Sequence, residues 1–172
     1  MAEQDKFSSY TWNLEQLLVS QFRLLQKLIE MTQKERTALA SESEAVMQLT
    51  EEKEIVLDQL GMVDDERRKL VGDMAMALNI SGDFCTVGDL ILHLKAEDAS
   101  RISRIADGIS TLVIQARELN EANQMLAHVK IDLIKATQAF LIGLAQPEIN
   151  YRPAGVAPAS REAPSWGVEI RA

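Results

Sequence analysis

Proline is missing from the first 146 residues of this 172-residue chain; Pro147, Pro153, Pro158 and Pro164 all lie beyond them. A proline inside a helix removes a hydrogen bond and clashes with the preceding turn, so its absence leaves residues 1–146 open to long helices. Cysteine occurs once, at Cys85, which excludes an internal disulfide and fits a reducing cytosol. Histidine occurs only as His93 and His128, without HExxH, CxxC or Glu-x-x-His, so zinc and di-iron sites lack their ligands. The glycines are scattered and form neither a phosphate loop nor a GxGxxG. No apolar run approaches the ~18 residues that cross a bilayer. The opening Met1-Ala2-Glu3-Gln4-Asp5 has no basic n-region, and no signal peptide is expected.

Positive charge is also scarce. The net charge of -8 and a pI near 4.8 leave no Lys/Arg cluster to displace counterions, which argues against nucleic acid and against a membrane surface. His128 and Asp132 stand four apart with Glu121 two turns earlier, but further ligands of suitable spacing are missing, and no metal, cofactor or catalytic residue is expected. Cys85, beside Phe84, reads as a partly buried small hydrophobe and not as a nucleophile.

What is present is heptad-like spacing. Ile105, Ile109, Leu112, Ala116, Leu119, Asn123, Leu126, Lys130, Leu133, Thr137, Phe140 and Leu144 alternate three and four apart, the seam of one amphipathic helix. Some 40 residues at 1.5 Å each make a rod of roughly 60 Å. An earlier seam runs through Val46, Leu49, Lys53, Val56, Leu60, Val63, Arg67, Leu70, Met74 and Ala77. Gly61 and Gly72 interrupt it and each weakens a helix by about 1 kcal/mol, which tertiary packing or close approach of another backbone should offset. A first helix, from about Ser9–Thr11 to Ala40, carries a broad apolar face of Leu14, Leu17, Leu18, Phe22, Leu24, Leu25, Leu28, Ile29 and Leu39.

Ser41-Glu42-Ser43-Glu44 and Thr86-Val87-Gly88-Asp89 have the form of capping boxes, and Asn79–Asp83 is a break. The Thr86 box should open a short helix through Lys95, and the last long helix should begin near Asp98 or Ser100. The expected architecture is all-α, a long antiparallel hairpin with a third long helix along it. It occupies residues 1–145, followed by a flexible Pro/Ala-rich tail over 146–172, where Trp166 is a candidate docking residue.

The polar seam positions have two readings. A buried Asn123 can fix helix register, and Lys130, Lys53 and Arg67 can snorkel with their stems on apolar surface. Alternatively, Asn120 and Asn123 meet a partner chain.

Three stretches then carry a resemblance: Glu35-Arg36-Thr37-Ala38-Leu39; Glu52-Lys53-Glu54-Ile55-Val56-Leu57 with Asp65-Glu66-Arg67-Arg68; and Leu119-Asn120-Glu121-Ala122-Asn123-Gln124-Met125-Leu126 after Leu112 and Ala116. Together, over residues 10–145, they resemble the FlgN-like family of flagellar export chaperones. The resemblance implies a cytosolic chaperone without ATPase activity that binds the C-terminal amphipathic helix of hook-associated proteins, prevents premature assembly and aids delivery to the export gate. It implies partner contacts at Leu112, Ala116, Leu119, Asn120, Asn123, Leu126, Lys130, Leu133 and Phe140, and contacts with export-gate or ATPase-complex components. The expected state is a monomer or weak dimer. The competing expectation is a homo-oligomeric coiled-coil scaffold or adaptor.

Overall fold

The computed structural model describes residues 2–41, 44–80 and 85–145; the expected tail over 146–172 lies outside them. The described residues form four helices, α1 (Ala2–Ser41), α2 (Ala45–Ala77), α3 (Val87–Ile91) and α4 (Ala96–Ala145), and contain no strand. The chain divides into two compact units, residues 1–132 and 133–172.

In the first unit the side-chain partners set the directions. Gln21 of α1 reaches Asp64 of α2 and Glu35 reaches Lys53, so pairing descends along α2 as it ascends along α1. These two helices are the antiparallel hairpin. Glu15 meets Arg101 and Thr32 meets Asn123, so α4 runs parallel to α1.

Apolar periodicity explains the core. Leu14 and Leu18 from α1, Val71 and Met74 from α2, Val87 and Leu90 from α3 and Ile102 from α4 form one buried cluster. Leu14, Leu90 and Ile102 are fully buried, and each such side chain contributes about 1.5–3 kcal/mol. Phe7 and Tyr10 pack against the same cluster, which gives the first turns of α1 something to cover. That extends α1 well before the expected start at Ser9–Thr11.

Local chemistry sets the helix ends. At the end of α2, Ile80 N–H donates to the Ala75 carbonyl (3.0 Å) and Asn79 N–H to that of Met76 (3.2 Å), with Asn79 at φ 50°. This is a Schellman stop, with asparagine in the left-handed position that glycine usually takes. Thr86 forms the expected capping box with Asp89, and hydrogen bonds from Thr86 hold the Asp89 carboxyl below its usual range.

Three expectations are corrected. The Ser41 box does not form: Ser41 is the last residue of α1 and its hydroxyl donates back to the Thr37 carbonyl (3.0 Å), while Glu44 precedes α2 without a side-chain cap. Helix α3 stops at Ile91, because His93 and Leu94 tighten into turns onto Leu90 and Ile91, and α4 starts at Ala96. Gly61 and Gly72 mark no close backbone approach, since an added Cβ would meet nothing within 4 Å at either.

Replacing Gly61 by Ala should therefore stabilise the protein by about 1 kcal/mol in urea unfolding. Thr86→Ala should cost about 1 kcal/mol in the same measurement, through loss of the cap.

Candidate functional site

The polar positions of the three seams meet. Glu35 of α1 and Lys53 of α2 form an ion pair of 2.8 Å with side chains only 12 % and 11 % exposed. The same Glu35 Oε2 accepts from Asn123 Nδ2 at 2.8 Å, and that nitrogen also donates to the Thr32 carbonyl at 2.8 Å. Lys53 Nζ further lies 3.5 Å from Asn120 Oδ1. One carboxylate oxygen thus ties all three long helices. Hydrogen bonds to charged groups contribute about 1.5–3 kcal/mol each, roughly twice a neutral one. Asn123 Oδ1 has no hydrogen-bond partner among the described residues.

A second polar layer lies nearer the α3 end of the hairpin. Asp64 accepts from Arg67 (2.6 Å) and Arg68 (2.7 Å), with Gln21 at 3.5 Å from across the hairpin. Burial pushes the Asp64 carboxyl up, but the Arg67 hydrogen bond and the charges of Arg67 and Arg68 outweigh it and hold the group below its usual range. The simple snorkelling reading of Lys53 and Arg67 is therefore incomplete, because each charge head finds a carboxylate.

The residues expected to contact a partner divide into three groups. Ala116 and Asn123 are buried, at 9 % and 4 % exposure, and Asn123 is engaged within the fold by Thr32 and Glu35. Leu112, Leu119, Leu126 and Lys130 are half-buried and Asn120 is exposed. Lys130 Nζ donates to the Ala40 carbonyl (3.4 Å) in the last turn of α1, where a cation also complements the helix dipole. Leu133 and Phe140 are exposed at 64 % and 65 %. Thr137 is exposed too, and so is Leu144.

In the second unit, the described part of α4 has a run of exposed apolar side chains that the seam alone understates. Ile134, Leu141 and Ile142 join Leu133, Phe140 and Leu144, and all are exposed. Leu133, Ile134, Phe140, Leu141 and Leu144 fall on one side of a helix at 100° per residue. Ile134 and Leu141 lie one position off the seam, which is why strict three-four spacing passes over them.

Burial and the nearby Asp89 charge raise the Cys85 thiol above its ordinary value, away from the thiolate form, and its side chain packs against the core. Among the described residues no group of three His, Cys, Asp or Glu could hold a metal ion, and no helix is long and apolar enough to cross a membrane.

Against known proteins, residues 11–159 match the family model described as FlgN protein. The match covers most of the chain and continues past α4 into the proline-bearing segment. No curated protein and no solved structure matches.

The Glu35 junction makes a prediction about stability. Lys53→Met should cost about 3 kcal/mol in urea unfolding, because it leaves a buried carboxylate without its cation. Combining it with Glu35→Leu should recover much of that loss, and a strictly additive double variant would argue against the junction.

Proposed function

The chain belongs to the FlgN family, and from that premise we propose that it binds the C-terminal amphipathic helix of a hook-associated protein through the exposed end of α4. The family is one of flagellar export chaperones. The observation that carries the reading is the exposed apolar stripe Leu133, Ile134, Phe140, Leu141 and Leu144. A helix with this much apolar surface in water is unfavourable unless a partner covers it. An unassembled subunit whose terminal helix is amphipathic has the matching problem, and two such stripes cover each other as helix against helix.

Binding of this kind needs no nucleotide and no chemistry. It masks the cargo's assembly surface in the cytosol until the cargo reaches the export gate. The half-buried Leu119 and Leu126 extend the surface only if α4 loosens from the hairpin, whereas Leu133 and Phe140 are accessible as they stand. Leu133 and Phe140 are thus the primary cargo contacts in this reading, and Asn123 supports them indirectly by fixing α4 in register.

Leu133→Glu/Phe140→Glu should lower affinity for a synthetic C-terminal helix of a hook-associated protein by at least about a hundredfold, since each side chain removes about 1.5–3 kcal/mol of burial. Isothermal titration measures the affinity, and unchanged helicity by circular dichroism shows that the fold is intact. Unchanged binding would overturn the assignment of this surface. A stable dimer in sedimentation, dissociated by the same double substitution, would favour the scaffold reading instead.

A further inference from the structure

A second surface lies in the first unit and shares no residue with the stripe on α4. An open groove of about 510 Å³ runs between α1 and the early turns of α4. Its floor is apolar, with Val19 and Phe22 from α1 and Ile105 from α4, and three guanidiniums line it, those of Arg23, Arg101 and Arg104. Position 108 shapes the floor. A Cβ there would stand 2.9 Å from Phe22 Cε2, so glycine is what lets the ring lie against α4.

The lining sets these three arginines against one carboxylate, Glu15, so the groove is net positive on a chain whose net charge is -8. Arg101 is neutralised within the fold, by Asp98 (2.5 Å) and more distantly by Glu15 (3.4 Å). The other two are not. Arg104 donates its Nε–H to the Ser100 carbonyl (3.2 Å), and neither Arg104 nor Arg23 has a carboxylate partner among the described residues. Two guanidinium forks therefore flank an apolar floor with their preferred partner missing.

We propose that this groove docks an acidic amphipathic helix of a partner protein. Its apolar side chains rest on Val19, Phe22 and Ile105, and its carboxylates pair with Arg23 and Arg104. A cleft between two helices offers the shape for a third. Charge selects the occupant. The chain's own residues 146–172 balance Glu148, Glu162 and Glu169 against Arg152, Arg161 and Arg171, so that segment brings no net negative side-chain charge. Nucleic acid would require a broader basic surface than three arginines on an acidic protein.

The test is fluorescence anisotropy on the full chain, with two labelled helical peptides of roughly 18 residues that share their Leu positions. One carries Glu and the other Lys at the flanking positions. The acidic peptide should bind, and more weakly as salt rises. Arg23→Glu/Arg104→Glu should weaken it by about tenfold or more, because both charge-assisted contacts are lost. Leu133→Glu/Phe140→Glu should leave it unchanged, which separates this groove from the cargo surface. No binding of the acidic peptide, equal binding of the Lys peptide, or loss only in the Leu133/Phe140 variant would each overturn the proposal. So would a dimer in sedimentation that Arg23→Glu/Arg104→Glu dissociates, since the occupant would then be a second copy.

Discussion

A single carboxylate oxygen holds the three long helices in register. Glu35 Oε2 accepts from Lys53 of α2 and from Asn123 of α4 at 2.8 Å each, in a setting where almost all neighbouring seam positions are apolar. Apolar packing would tolerate a slip of α4 by one turn, because Leu and Ala repeat along it at similar spacing. The junction does not, since a slip would carry Asn123 away from the Thr32 carbonyl and the Glu35 carboxylate and leave buried polar groups without their partner. Asn123 adds direction as well as energy: its amide is fixed between a backbone carbonyl of α1 and the Glu35 side chain. Hydrophobic burial, densest near α3, supplies cohesion, and the polar junction chooses which of several cohesive arrangements is populated.

Such a division leaves one helix end exposed. The α4 seam is engaged internally as far as Lys130, which meets the last turn of α1 at Ala40. From Leu133 onward the same periodic pattern continues on exposed side chains. A helix that shifted along the hairpin would alter how much of its apolar face is engaged. Register and accessible surface are thus one variable, and Glu35 sets it.

Much of the fold is legible in the sequence because helical periodicity is a local signal that tertiary structure has little reason to override. The α1–α2 hairpin, the third long helix, the Thr86 capping box and the break at Asn79 all follow from spacing and side-chain chemistry. Ser41 misleads because a serine hydroxyl can accept from a following amide or donate to a preceding carbonyl, and the sequence looks the same either way. The site is legible only in part. That Asn123, Lys53 and Arg67 are out of place in apolar seams is visible; that Asn123 and Lys53 converge on Glu35 is not, because partners 18 and 88 positions apart leave no mark in local spacing. The intramolecular partners of Asn123 are therefore visible only in three dimensions, where Thr32 and Glu35 engage it. Gly108 gives no local signal for a similar reason, since its role depends on Phe22 of another helix.

The exposed stripe also gives the chain's acidity a second meaning. Near neutral pH the net charge of -8 makes two copies repel, which opposes any pairing of their apolar ends. As the pH approaches the pI of about 4.8 that repulsion disappears while the stripe remains. The protein's colloidal behaviour is then governed by whether its apolar end is occupied. In the proposed reading, a cargo helix seated on the stripe would limit the aggregation of the protein that carries it.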